Sequence, residues 1–290
     1  MNRLIAILCV TLSIHAAEPK KTQETYELGR AAMAHGDHVR AVEYFEQSTA
    51  LSPRNALYQL QLGRAYSMSA MASGMFSAMS LAKKAKSAFE RAVELDPKFV
   101  PARLSLLEFL IGAPAILGGS DSAALEQAKA IREIDPIEGH DAFARIHIAA
   151  KRADLARGEY ATMVKTFPRS AQAHYLYGVY LLTTEKNYKS AADQFESAVS
   201  IDPNHMASYF RIGHTAAVGS ANFARGEEAL KKYISYRPSE EEPGTSRAWF
   251  WLGAIYEKEG RPADAKSCYA TSLKLNPTQK DVIEALKRVS

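Results

Sequence analysis

The chain has 290 residues, with 36 basic and 32 acidic side chains, a formal net charge of +4 and 47% hydrophobic residues. That balance is too mild, and looks too evenly spread, to imply a nucleic-acid or anionic-membrane partner. The chain exceeds one ordinary domain's worth of residues, yet no Pro/Gly/Ser-rich linker divides it.

Residues 1–17 differ in character from the rest of the chain. Arg3 supplies a positive start, Leu4 to Leu12 is an apolar run, and Ser13-Ile14-His15-Ala16-Ala17 ends in small residues. That is the order of a secretory signal peptide, with a retained amphipathic helix as the alternative. A membrane span needs about 20 apolar residues, and the polar Glu18-Pro19-Lys20-Lys21 arrives too early for one. The expectation is an exported protein, periplasmic or secreted, whose mature chain (18–290) begins near Glu18 and has no integral membrane span. Losing the leader would remove Arg3 and Cys9, leaving 35 basic against 32 acidic residues and Cys268 alone. A lone thiol in an oxidising compartment should be buried.

Beyond the leader a proline keeps returning: Pro53, Pro97, Pro136, Pro168, Pro203, Pro238 and Pro277, at intervals of 44, 39, 32, 35, 35 and 39 residues. Each follows a helical pattern that it would terminate. A period near thirty-four marks a solenoid. Ten residues after a proline stands a glycine (Gly63, Gly178, Gly213), and Gly29 and Gly253 hold the same place. Eight residues before the next proline stands a ring (Phe45, Phe89, Tyr160, Phe195, Tyr269). Twelve before it stands alanine (Ala41, Ala85, Ala124, Ala156, Ala191, Ala265). Two antiparallel helices approach closely only where small residues let them meet. A ring four residues after the alanine lies on the same helix face and fills the gap.

Leu62-Gly63-x-x-Tyr66, Leu252-Gly253-x-x-Tyr256, Ala85-x-x-x-Phe89-x-x-Ala92 and Ala191-x-x-x-Phe195-x-x-Ala198 resemble the tetratricopeptide repeat. The resemblance implies an all-α, right-handed α-solenoid of about seven helix pairs. They fall near 22–55, 56–99, 100–138, 139–170, 171–205, 206–240 and 241–277, and a polar-faced capping helix covers 278–290. Repeat three departs, with Leu107 at the glycine place and Ala128 at the ring place. Repeat four has Ile146 at the glycine place and is two residues short.

Two insertions stand out. Met68, Met71, Met75 and Met79 fall on one helix face in repeat two, read first as a core stripe between two long helices. The alternative is an adaptable binding face. Gly112 to Asp121 (Gly-Ala-Pro-Ala-Ile-Leu-Gly-Gly-Ser-Asp) must be a loop, with Ser120 or Asp121 capping the next helix. Its apolar residues either fold back over the helix pair or touch a partner or a membrane surface. The Pro-x-x-x-Gly-Gly element also resembles one found in periplasmic tetratricopeptide proteins that accompany transporters.

No phosphate-cradling glycine loop, His-Glu-x-x-His or nucleophile elbow occurs. His140 and His147 share a face, and His205 and His214 flank a helix start, but neither pair makes a metal-ligand set. The expectation is a non-enzymatic protein with no cofactor and no metal.

The resemblance implies that first helices line the inner face. Three residues before the glycine place stand Tyr26, Leu60, Leu104, Phe143, Tyr175, Phe210 and Phe250. One after it stand Arg30, Arg64, Glu108, His147, Val179, His214 and Ala254. The candidate peptide-binding track is therefore Tyr26, Arg30, Leu60, Arg64, Phe143, His147, Tyr175, Phe210, His214 and Phe250. The alternative is that these rings only pack repeat against repeat. The Lys/Asn set with which related repeats clamp a chaperone's terminal carboxylate is missing. The reading is a protein- or peptide-binding adaptor of the cell envelope, without nucleic acid. The alternative is a transporter-associated repeat protein handling a small apolar ligand in a methionine-lined cavity.

Overall fold

The computed structural model describes residues 20–239 and 242–290, so the leader expected over 1–17 and Cys9 lie outside the described residues. Among the described residues there are fifteen α-helices, one 3-10 turn and no strand. They fall into two compact units, split after Leu95.

The first unit holds α1 (Lys20–Ala34), α2 (His38–Leu51), α3 (Ala56–Ala72) and α4 (Met75–Leu95). Asp37 and Asn55 cap α2 and α3, accepting from the amides of Arg40 and Tyr58, which satisfies donors that a helix start leaves orphaned. α1 packs on α2, α2 on α3 and α3 on α4. The glycine places are contact points: a β-carbon on Gly29 would stand 2.7 Å from the Phe45 ring, and one on Gly63 2.5 Å from the Phe89 ring. Nothing larger fits there without displacing a fully packed aromatic.

The methionine stripe is not core. Met68, Met71, Met75 and the neighbouring Phe76 are exposed, and no residue from Ala70 to Lys84 is buried. The last inward anchor of α3 is Ser69, whose hydroxyl donates to the His38 carbonyl at 3.1 Å, and the first of α4 is Ala85. The four methionines do not share one helix face: Met68 and Met71 lie at the end of α3 and Met75 and Met79 at the start of α4, with the turn at Ser73 and Gly74 between them. The extra turns carry both helix ends beyond the last helix of this unit that could cover them.

The second unit holds α5 (Val100–Gly112), α6 (Asp121–Ile134), α7 (Pro136–Ala149), α8 (Ala153–Thr166), α9 (Ala171–Thr183), α10 (Tyr188–Ile201), α11 (Met206–Gly219), α12 (Phe223–Ile234), α13 (Thr245–Lys258), α14 (Pro262–Leu275) and α15 (Lys280–Arg288). Successive helices pack as hairpins, and first helices also touch across repeats (α5 with α7, α7 with α9, α9 with α11, α11 with α13). The same contact returns: β-carbons on Gly178, Gly213 and Gly253 would stand 2.6 Å from Phe195, 2.1 Å from Leu230 and 2.6 Å from Tyr269. Repeat three inverts the sizes. Leu107 on α5 and Ala128 on α6 are both fully buried, so the large residue sits on the first helix and the small one on the second.

Between α5 and α6, Ala115–Leu117 forms the 3-10 turn, and the loop is tied back by the Ser120 amide donating to the Leu110 carbonyl at 2.9 Å. Ser120 caps α6, its hydroxyl accepting from the Ala123 amide. A β-carbon on Gly119 would lie 1.8 Å from the Ala113 carbonyl oxygen, so only glycine makes this return. Leu117 folds back half-buried while Ile116 stands in solvent. At the far end α15 buries Val282 and Ala285, half-buries Ile283 and Leu286, and leaves Lys280, Lys287 and Arg288 exposed, closing the stack with a polar face.

Repeat four is short for a local reason. Elsewhere in this unit, turns of four residues (167–170, 202–205, 276–279) or the longer connection 235–244 join second to first helices, but α6 and α7 are separated by Asp135 alone. Asp135 ends α6 and caps α7, its carboxylate accepting from the amides of Ile137 at 2.9 Å and Glu138 at 3.2 Å. Pro136 is the first residue of α7, where a missing amide hydrogen costs nothing. The glycine place in α7 therefore falls on fully buried Ala144, two residues before Ile146.

Candidate functional site

The shift in α7 changes the face that the first helices present. Asp141, not Phe143, stands three residues before the small residue, and Arg145, not His147, stands one after it. Contacts fix this register. Tyr175, Phe210 and Phe250 meet the second-helix rings Phe195, Tyr233 and Tyr269 at 6.1, 5.3 and 5.9 Å. Asp141 does the equivalent, accepting from the Tyr160 hydroxyl at 2.6 Å. Arg145 ion-pairs with Glu108, its counterpart in repeat three, and Gln172 donates to Glu138, its counterpart in repeat four, at 2.9 Å. Phe143 leaves the track and lies under the Arg132 guanidinium, 3.8 Å from its ring centre. His147 is half-buried near the end of α7 and leaves the track with it.

The face in the second unit thus has two characters. Over α5 and α7 it is charged and internally paired: Arg145 donates to Asp141 at 2.6 Å as well as to Glu108. Asp141 is 2% exposed and fully engaged. Burial pushes the Glu138 carboxyl upward.

Over α9, α11 and α13 it is aromatic. Half-buried Tyr175 lies 5.2 Å from the His205 ring, the His214 ring stacks on Trp251 at 4.1 Å, and Trp251 meets Phe250 at 4.7 Å. Arg247 crosses Phe250 at 4.4 Å while ion-pairing with Asp281 at 2.6 Å. Phe210 is buried beneath them and offers little open surface.

Two nitrogens in this aromatic stretch are buried without a hydrogen-bond partner, Nε of Arg211 and Nδ1 of His214. Burial, with the positive charges of Arg211 and Arg247 next in weight, lowers the His214 pKa to about 4. The imidazole is therefore neutral at physiological pH, and Arg211 is the charge beside it. Unpartnered buried polar atoms are uncommon in native proteins. The positions two residues before the glycine place, which hold Arg211 and Trp251, were absent from the sequence track. Their signal was available, since His214, one residue after its glycine place, and Trp251, two before its own, stand about one helical turn apart in register in successive repeats.

In the first unit the track is largely interior. Tyr26 is 3% exposed and stacks on Tyr58 at 4.7 Å, and Leu60 is fully buried. Arg30 pairs with Glu27 at 2.7 Å, and Arg64 is half-buried. Tyr26 and Leu60 hold repeats together here, as the alternative reading of the rings had it.

A separate hollow of about 450 Å³ lies among α10, α11 and α12, lined by Tyr188, Ile212, Thr215 and Arg225 among others. Arg225 is held there by Glu196 at 2.8 and 3.0 Å. No group of three His, Cys, Asp or Glu residues among the described residues is placed to hold a metal ion, and no described helix is long and apolar enough to cross a membrane.

Comparison with known proteins agrees with this geometry. Tetratricopeptide-repeat family models match residues 26–67 and 76–99, and the model for the Cilia and flagella-associated protein 70 middle TPR-like domain matches 149–276. No curated protein matches the chain by sequence. Among solved structures, a monomeric mutant of IFIT1 with m7Gppp-AAAA aligns with a TM-score of 0.57 at 18% identity, over 93% of this chain and 62% of that one. Yeast Tom70 aligns at 0.56 and 14% identity over 95% and 65%. The APC/C hetero-tetramer Cut9-Hcn1 aligns at 0.51 and 17% over 91% and 48%. The chain spans less than two thirds of each of these. It carries tetratricopeptide repeats, and its fold is an all-α solenoid.

Proposed function

We propose that this chain is a non-enzymatic adaptor that holds a polypeptide segment on the aromatic face of its second unit. Tyr175, Phe250 and Trp251 supply open apolar area, and Arg211 receives a carboxylate from the bound segment. The observation that carries this reading is the set of part-exposed rings Tyr175, Phe250 and Trp251 beside half-buried Arg211. Aromatic and arginine side chains dominate affinity at such surfaces. The methionine-lined cavity of the alternative reading has no support, because Met68, Met71 and Met75 stand in open solvent. We also propose that the protein works outside the cytoplasm, in the cell envelope. The support is the order of charge, apolar run and small residues over 1–17, and N-terminal sequencing of the mature protein tests it.

This face is tested by selecting peptides from a random display library against the purified chain. The expected binders pair an aromatic or aliphatic anchor with an Asp or Glu. Replacing Tyr175 and Trp251 by Ala should cost on the order of 2 kcal/mol each in binding, and Arg211→Gln should erase the acidic preference. Unchanged affinity in a Tyr175→Ala/Trp251→Ala protein that melts normally would exclude this face.

A further inference from the structure

The outer half of the α3–α4 hairpin has no structural task within its own unit. From Ala70 to Lys84 no side chain is buried, and the apolar ones at the tip stand in water: Met71 is 82% exposed, Met75 76% and Phe76 89%. A folded chain rarely offers its largest apolar groups so completely in one place unless something covers them. The charge around the tip is equally one-sided. No Asp or Glu occurs between Glu46 and Glu90, although the chain holds 32 acids, while Lys83, Lys84 and Lys86 follow the tip on α4, Lys84 lying 3.5 Å from Glu46 and Lys86 pairing with Glu90. The near-neutral total had concealed this local excess.

We infer that this hairpin tip docks the protein on an anionic lipid surface. It seats Met71, Met75 and Phe76 at the boundary of the acyl chains, and Lys83 and Lys84 among the phosphates. The spacing fits. Seven residues separate Phe76 from Lys83, about 10 Å along a helix rising ~1.5 Å per residue. The headgroup layer of one leaflet is roughly 5–8 Å deep, and apolar faces of interfacial helices settle about 5–10 Å into the boundary. Lys83 is exposed, and Lys84, over the Tyr66 ring at 5.2 Å, is 54% exposed. Lys83 can extend its ammonium group to phosphate oxygens, and Lys84 can do so by giving up its 3.5 Å contact with Glu46.

Shape and charge separate lipid from other occupants. The apolar groups project from a convex tip, so a rigid protein would need a matching pocket, whereas a fluid bilayer deforms around them. A second copy would bring the same basic hairpin against itself, which like charges oppose. Methionine is unbranched and adapts to an irregular medium. No described helix is long and apolar enough to span, so the contact is interfacial and reversible.

The test uses the full chain and vesicles of phosphatidylcholine with or without phosphatidylglycerol, read by co-sedimentation. Binding is expected with phosphatidylglycerol only and should weaken with added salt. Phe76→Ser should lower partitioning by about 10- to 100-fold, as expected for withdrawing one large apolar side chain. Lys83→Gln with Lys84→Gln should lower it by roughly 30-fold, about fivefold per lysine. The same substitution at the other exposed apolar loop, Ile116→Ser, should change nothing. The Phe76→Ser protein must melt like the parent, which its exposure predicts. Failure of the parent chain to sediment with phosphatidylglycerol vesicles overturns the proposal, as does binding indifferent to Phe76→Ser. A dimer in sedimentation equilibrium that Phe76→Ser dissolves would assign the tip to a second copy instead. Capture by an immobilised acidic protein without vesicle binding would assign it to a protein.

Discussion

The inverted sizes of repeat three can be reproduced elsewhere in the solenoid. A β-carbon on Gly213 would stand 2.1 Å from Leu230 Cγ and 2.6 and 2.7 Å from its methyls, so Gly213→Leu must displace a fully buried side chain. Overpacking of this degree costs about 3 kcal/mol, offset by about 1 kcal/mol of better helix propensity, for a net loss near 2 kcal/mol. Leu230→Ala opens a cavity and costs about 2–5 kcal/mol. Together the two changes place a large residue on the first helix and a small one on the second, the arrangement of Leu107 and Ala128. The double variant should lose only about 3–4 kcal/mol in all, less than the roughly 4–7 kcal/mol of its parts summed, with a coupling of about 1–3 kcal/mol. Urea unfolding followed by helical circular dichroism on all four proteins completes the cycle. Additive losses, within about 0.5 kcal/mol, would show that the glycine place and the ring place do not trade volume, and the packing account of the repeat would fall with them.

His214 should titrate near pH 4 by NMR of its ring protons. Its folded pKa lies below the unfolded value of about 6.5, so the unfolded chain takes up the proton first. Its contribution to stability should therefore fall by roughly 3 kcal/mol as pH drops from 6.5 to 4, and His214→Phe should flatten that slope. Cys268 is 4% exposed and burial raises its thiol pKa to about 11, so a thiol reagent should label it only after denaturation. Asp141→Ala leaves the Tyr160 hydroxyl and one face of Arg145 without their acceptor, and should cost about 3 kcal/mol in urea unfolding, while Asp141→Asn costs less.

The parts of this fold that depend on close approach were legible in the sequence, because a glycine, an alanine and a ring must recur wherever two helices touch. The capping helix was legible for the same reason, since Val282, Ile283 and Leu286 had to face something, although Ala285 and not Ile283 or Leu286 is buried beside Val282. Proline was ambiguous where it mattered. It suits the turn after a helix and the first residue of the next equally well, so counting from Pro136 as a terminator moved Phe143 and His147 onto the track in place of Asp141 and Arg145. The methionines show a second limit. Their regular spacing runs on through the turn at Ser73 and Gly74, so one apparent face is two helix ends, and whether these are covered depends on how far the neighbouring helices reach. Tyr26 and Leu60 show a third, since the same register is open beside Tyr175 and closed in the first unit, according to what packs against it.

The single-residue turn at Asp135 says something about tolerance of error. Prolines recur at spacings from 32 to 44 residues, yet the small-residue contact is re-established in α3, α7, α9, α11 and α13. Each helix pair sets its own zero, as a vernier is re-read at every mark, because a wrong rotation would drive a side chain into a ring. Miscounted residues in a connection are absorbed where they occur and do not propagate down the stack. Connections in such a chain are thus free to lengthen, shorten or accept grafted sequence, while the handful of contact positions inside the helices are not.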